Sequence, residues 1–148
     1  MQAGGVLGGR IGYQMKRADH ALRMQMDRAL RGLGLTTPQY AALSVLSDEP
    51  GLSGAALARR CFVTPQTMNQ IVAKLEGANM ISRRPHPEHG RVLQTYLTEE
   101  GEELVSRAHW VVEPVEERMV ASLSVAGRAR LLEMLRSCAD SLGPEREA

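Results

Sequence analysis

Side chains that can hydrogen-bond to nucleic-acid bases follow Thr64 and Pro65, a pair that predicts the N-cap and first residue of a helix. Apolar residues recur through this segment at helical spacing, so one face is expected to be buried and the opposite face polar. Amide and hydroxyl groups on the polar face can donate to and accept from base edges in a groove. The residues assigned to that face are Gln66, Asn69, Gln70 and Lys74.

A basic hairpin is predicted directly after this helix, because the residues before Thr98 alternate like strands. Residues 52–98 hold six Lys or Arg against two Glu, which gives +4, although the whole chain carries only +1. Gly90 is expected to supply the positive φ of the turn. Arginines on such a hairpin can contact phosphates or enter a minor groove. The candidates are Arg83, Arg84 and Arg91.

Other kinds of chemistry find little support in the sequence. No nucleophile motif, phosphate-binding loop or metal-ligand spacing is present, so we predict no enzyme, no cofactor and no metal site. His86 and His89 could form a metal site or a pH switch, but loop histidines are more often solvated. Cys61 and Cys138 are too few for a disulfide framework, and both fall on apolar faces where packing is the expected role.

The elements that must position these residues are mostly helical. An apolar stripe from Ile11 to about residue 30 predicts an amphipathic first helix. Thr37 as N-cap and Pro38 as the first helical residue predict the start of the second. Ser53, Thr98 and Ser124 are expected to cap three more. The predicted fold is mainly α: a winged helix-turn-helix of about six helices plus a two-stranded β wing, in one domain over residues 1–148.

The central stretch, LARRCFVTPQTMNQIVAKLEGANMISRRPHPEHGRVLQTYLTEEG, resembles the winged-helix core of the multiple-antibiotic-resistance regulator (MarR) family. The resemblance extends over nearly the whole chain. It implies a homodimer whose dimerisation helices lie in residues 10–34 and 99–143, and whose DNA-binding lobe spans residues 36–98. It also implies a transcriptional regulator, most simply a repressor, that binds a pseudo-palindromic operator in double-stranded DNA and is released by a small aromatic or anionic effector.

The resemblance assigns roles to individual residues. Arg91 matches the wing-tip arginine, although His89 stands where the family has an acid two residues earlier, so the group that would orient Arg91 is absent. Asn79 stands where the family usually has the glycine that ends the recognition helix, and Asn tolerates the left-handed conformation. The residues that match base-contacting positions are Gln66, Thr67, Asn69 and Gln70, and their backbone-contacting neighbours are Thr64, Pro65 and Lys74.

Two further surfaces are predicted. Terminal apolar residues would be too exposed on a monomer, so they are expected to pack across a two-fold axis. An effector pocket could lie between the dimerisation helices and the DNA-binding lobe, although ordinary packing explains the same residues. The terminal residues are Ile11, Met15, Leu131, Leu135 and Leu142, and the pocket residues are His20, Met24, Tyr40 and Trp110.

A second class of function remains open, namely a helical dimeric protein-interaction module that keeps the fold without reading DNA specifically. Salt dependence separates the two, since a DNA-binding face displaces counterions and an apolar interface does not. The sequence has no secretory leader and no apolar run of membrane-spanning length, so a cytoplasmic location is expected.

Overall fold

The computed structural model describes residues 5–143, and within them the chain is mainly helical, as predicted. Six α-helices are present, together with three short strands where two were expected. The helices are α1 (Ile11–Leu30), α2 (Thr37–Asp48), α3 (Gly54–Arg60), α4 (Pro65–Gly77), α5 (Glu99–Met119) and α6 (Val125–Leu142), and the strands are β1 (Leu52–Ser53), β2 (Ile81–Pro85) and β3 (Leu93–Leu97).

The wing is an antiparallel hairpin of β2 and β3, to which β1 adds a third strand in the order β1-β3-β2. Gly51 lies at φ +89° and donates its N–H to the Thr95 carbonyl at 2.9 Å, which brings the chain alongside β3. Leu52 then pairs with Thr95. A strand of two residues is too short to show alternation, so the sequence did not predict it.

A single apolar cluster holds the helix-turn-helix and the wing together. It takes residues from α2, α3 and α4, from the first residue of β2, and from α1 and α5. Because α4 buries one complete face in this cluster, its opposite face is held in a defined direction. The fully or nearly fully buried members are Leu30, Ala42, Leu43, Leu46, Leu57, Ala58, Met68, Val72, Leu75, Ile81, Val105 and Ala108.

Side-chain caps begin the helices largely where the sequence predicted them. Ser53, Thr64 and Ser124 each accept the N–H of the residue three positions later, and Thr98 caps α5 in the same way. The predicted cap at Thr37 is wrong by one residue. Thr36 is the cap, because it forms a reciprocal capping box with the residue at position 39.

The chain divides into two compact units, Met1–Val115 and Glu116–Ala148. The boundary falls one residue after Pro114, which lies inside α5. Helix α6 contains no buried residue, and Leu142 on it is 90% exposed. On α1, Ile11 is 76% exposed. The terminal apolar stripes therefore lie largely uncovered within one chain.

None of the helices described in residues 5–143 has the length and apolar content needed to span a bilayer.

Candidate nucleic-acid interface

Helix α4 presents the polar face that the sequence predicted. The Thr64 hydroxyl accepts the Thr67 N–H at 3.1 Å, and Pro65 occupies the first helical position, where its missing N–H costs nothing. Met68 and Leu75 are buried on the core side. The exposed residues on the other side are Gln66, Thr67, Asn69, Gln70 and Lys74.

The turn between α3 and α4 is closed by main-chain hydrogen bonds. Val63 donates its N–H to the Ala58 carbonyl at 3.1 Å, and Phe62 donates to the Arg59 carbonyl at 3.3 Å. These two bonds define a Schellman motif, in which the residue at the position of Phe62 is left-handed. Phe62 accordingly has φ +58°.

The C-terminal end of α4 has the same motif. Met80 donates to the Leu75 carbonyl and Asn79 to the Glu76 carbonyl, both at 2.9 Å. Asn79 lies at φ +62°, which confirms the expectation that it substitutes for glycine in the left-handed conformation. Backbone bonds therefore fix the turn before α4 and the C-terminal end of α4, and the Thr64 side chain caps its first turn.

A groove of about 740 Å³ runs beside α4, between that helix, α1 and the start of α2. Three cationic side chains line it, namely Arg23, Arg31 and Lys74, and the exposed residues Thr67 and Gln70 form part of its wall. Sequence reasoning missed Arg23 and Arg31, because the residue pattern of this segment marks only the apolar stripe of α1. The available signal was the position of Arg23 on the polar side of α1 and of Arg31 directly after its last residue.

A second groove, of about 360 Å³, lies on the other side of α4 against the wing. Asn69, Arg83 and Arg91 share it, although they come from α4, β2 and the loop before β3. The structure thus brings together one predicted base-contacting residue and two predicted wing arginines. The polar face of α4 lies between two grooves that both carry arginine.

The two arginines of β2 are held against the protein. Arg83 donates to both carboxylate oxygens of Glu76, at 2.8 and 3.1 Å. Hydrogen bonds from Arg83 lower the pKa of the Glu76 carboxyl, and the same bonds raise the pKa of Arg83. The guanidinium of Arg84 lies 4.4 Å from the centre of the Tyr96 ring. Phosphate contact by Arg83 and Arg84 remains a prediction. The Glu76 carboxylate already balances the charge of Arg83, so Arg83 would add little net positive charge to such a contact.

The loop between β2 and β3 is organised by His86. Its Nδ1 accepts the backbone N–H groups of Glu88 and His89, and the two imidazole rings lie 5.1 Å apart. Arg91 is exposed at the end of this loop. The expectation that Gly90 has positive φ is wrong, because the loop closes through Val92 donating to the His89 carbonyl.

Residues 5–143 contain no cluster of three or more His, Cys, Asp or Glu side chains that could hold a metal ion. Cys61 is half-buried, and burial raises the pKa of its thiol despite the nearby charge of Arg60. Packing therefore accounts for Cys61. Cys138 is exposed on α6, so its predicted burial is wrong within a single chain.

The predicted pocket residues occupy several environments. Trp110 is 79% exposed and lines a cavity of about 380 Å³ with Leu33, Ser106, Arg107 and Val111. The Tyr40 hydroxyl lies 2.6 Å from Nδ1 of His109, its neighbour on α5. His20 and Met24 lie exposed on α1.

Comparison with known proteins agrees with this geometry. A family model described as MarR family matches residues 33–92. The HTH-type transcriptional repressor Rv2887 of Mycobacterium tuberculosis is 40% identical over 125 residues, covering 84% of this chain and 90% of the repressor. Its crystal structure with DNA has a TM-score of 0.74 at 36% identity and covers 89% of this chain and 99% of that one. Its complex with salicylic acid has a TM-score of 0.73 at 38% identity, with coverages of 88% and 97%.

Proposed function

The chain belongs to the MarR family of transcriptional regulators, and from that premise we propose that it binds a pseudo-palindromic operator as a homodimer and represses transcription. The observation that carries the proposal is the exposed polar face of α4 between two arginine-bearing grooves. Since its partner is DNA, the proposed location is the cytoplasm. The family consists of regulators and not enzymes.

Base reading is assigned to the exposed face of α4. An amide side chain can form two hydrogen bonds with adenine, at the N6 and N7 atoms of the base. A hydroxyl can donate to or accept from base edges in the major groove. Thr64 and Pro65 begin the helix and would lie beside the sugar-phosphate backbone. The proposed base-contacting residues are Gln66, Thr67, Asn69 and Gln70.

Phosphate contacts are assigned to the cations of the two grooves. Lys74 belongs to the groove beside α1, and Arg91 belongs to the groove beside the wing. Arg83, which lines the groove beside the wing, and Arg84 both lie on β2, where they would support the wing against the duplex. Arg23 and Arg31 extend the first groove and are added to the proposed set.

Dimerisation is assigned to the terminal helices, in residues 10–34 and 99–143, around the DNA-binding lobe of residues 36–98. Ile11 and Met15 on α1 are exposed, as are Leu135 and Leu142 on α6. Leu131 is half-buried. Uncovered apolar stripes on two helices are typical of surfaces that pack against a second copy. Sedimentation velocity should give twice the chain mass at micromolar concentration.

The test of specific reading is fluorescence anisotropy on labelled duplexes from the DNA flanking the gene. Gln66→Ala and Asn69→Ala should each weaken operator binding by about tenfold, because each removes about 1–3 kcal/mol of base discrimination. Binding to a scrambled duplex of equal length should be unchanged. Equal loss on operator and scrambled duplex would overturn the assignment.

We further propose that a small aromatic anion releases the protein from DNA by binding at Trp110, and that Tyr40, His20 and Met24 belong to the effector-responsive surface that the sequence predicts. The cavity at Trp110 offers an aromatic wall and one cation, Arg107, which matches the two parts of an aromatic carboxylate. Rv2887, the relative from M. tuberculosis, has been solved with salicylic acid.

Trp110 is the only tryptophan, so ligand binding at this cavity can be followed by its emission. Titration with salicylate should quench the emission to saturation, after correction for inner-filter effects with free N-acetyltryptophanamide. Arg107→Gln should weaken the binding several-fold. If salicylate releases the protein from DNA and leaves the emission of Trp110 unchanged, the site lies elsewhere.

A further inference from the structure

Phe62 has an unfavourable backbone conformation for its residue type. It occupies the left-handed position of the Schellman motif that ends α3, at φ +58°. Glycine normally occupies that position and asparagine sometimes does, because a bulky side chain crowds the backbone there. Asn79, at the equivalent position of α4, follows the rule. Within the same helix-turn-helix, Phe62 does not.

The folded chain gives Phe62 nothing in return for this strain. The residue is 95% exposed, so its ring has almost no packing partner within residues 5–143. Its neighbours Cys61 and Val63 are half-buried and pack against the core, so the backbone is held on both sides of Phe62. A large apolar side chain is therefore both strained and solvated at a defined position. Strained residues of this kind concentrate at binding and catalytic sites.

The position of Phe62 indicates what it contacts. It precedes Thr64, the cap of α4, by two residues, and the first exposed residues of α4 are Gln66 and Thr67. A recognition helix meets the major groove with its N-terminal residues, so the turn before it faces the edge of that groove. The apolar group displayed in the major groove is the C5-methyl of thymine.

We infer that Phe62 is a DNA contact, and that its ring packs against a thymine methyl at the edge of the major groove. The inference rests on the proposed function, since it needs α4 to enter that groove. It adds an apolar contact, at a position outside the polar face, to a surface that otherwise binds by hydrogen bonds and charge. Burial of the ring against DNA offsets the strain that the free protein carries.

Removing the ring should change stability and DNA binding in opposite directions. Phe62→Gly and Phe62→Asn both accept positive φ, so each should raise Tm by about 2 °C. Both should weaken operator binding by about tenfold, since each loses the apolar contact. The asparagine variant separates loss of the ring from added flexibility. Asn79→Gly is the matched control in the second Schellman motif, and it should leave operator affinity within about twofold.

Replacing each operator thymine in turn by deoxyuridine removes one methyl group at a time. One position per half-site should weaken the wild-type protein and leave Phe62→Gly unaffected, which is the coupling expected of a direct contact. If Phe62→Gly binds as tightly as the wild type, Phe62 is not a DNA contact. If it binds weakly but no thymine couples to it, the thymine assignment is overturned.

Two results separate this inference from the proposed function. Absence of operator binding by the wild-type protein would remove the proposed function itself. Normal wild-type binding with an unaffected Phe62→Gly variant would remove only the present inference. Sedimentation of Phe62→Gly completes the test, because a changed monomer-dimer equilibrium would show that the ring contacts a second copy of the chain and would overturn the assignment to DNA.

Discussion

The affinity of this protein for DNA should fall steeply as salt rises, by an amount that the structure allows us to count. Five cations line the two grooves beside α4. One of them, Arg83, is already paired with Glu76. The remaining four form no ion pair with another side chain within residues 5–143. They are Arg23, Arg31, Lys74 and Arg91.

Four unpaired cations per protomer give eight in the proposed dimer. Each neutralised phosphate contributes about −0.9 to the slope of log K against log salt, so the predicted slope is about −7. Between about 50 and 200 mM salt, the affinity should therefore fall by roughly 10⁴-fold. Fluorescence anisotropy at a series of potassium chloride concentrations measures this slope directly.

Single substitutions test whether the counted residues produce the slope. Lys74→Gln removes two cations per dimer, so the slope should become shallower by about 1.8. Arg23→Gln should have the same effect, although sequence reasoning did not select that residue. Arg136→Gln, on α6, changes the net charge equally and is the control that should leave the slope unaltered.

A slope shallower than about −3 for the wild-type protein would refute the assignment of the grooves to phosphate contacts. If Lys74→Gln and the wild type have the same slope of log K against log salt, Lys74 does not contact a phosphate. If Arg136→Gln makes the salt slope as much shallower as Lys74→Gln does, net charge and not the two grooves governs binding.

Two further predictions concern residues that stabilise the fold around α4. Gly101→Ala should destabilise the fold by about 3 kcal/mol or more, because a Cβ there would overlap the Met80 carbonyl oxygen; Gly77→Ala, with open space around it, should be neutral or slightly stabilising in the same urea titration. Glu76→Gln should cost at most about 1 kcal/mol at neutral pH, since the Arg83 pair is partly exposed. The pair lowers the pKa of Glu76 in the folded state, so its contribution to the free energy of unfolding is present above the ordinary glutamate pKa and is lost as pH falls through the folded pKa. A difference in unfolding free energy between the wild type and Glu76→Gln that persists at pH 2 would contradict this account.

Local signals predicted much of the fold. The caps at Ser53, Thr64, Thr98 and Ser124 were readable because a cap depends on residues within one helical turn. The cap at Thr36 was missed because Thr37 and Pro38 offer an equally good local pattern, and only the reciprocal bonds with Gln39 distinguish Thr36.

Contacts between distant segments were not readable in the same way. Arg23 on α1 and Arg31 directly after it line a groove with α4 only because the fold brings these distant segments together. Arg83 pairs with Glu76 across the turn from helix to strand, which the charge count could not reveal. The conformation of Phe62 was also hidden, because a Schellman motif is usually inferred from glycine or asparagine.

The two Schellman motifs at either end of the α4 region have a consequence for regulation. A helix whose preceding turn and C-terminal end are held by main-chain bonds, and whose first turn is capped by Thr64, reaches DNA already ordered, so little conformational entropy remains to be lost on binding. Such a recognition helix is rigid, and an effector cannot easily alter its shape. In a dimer, an effector can then act only on the distance and angle between the two recognition helices. An effector would change which half-site spacing is accepted, and not which bases each half-site contains.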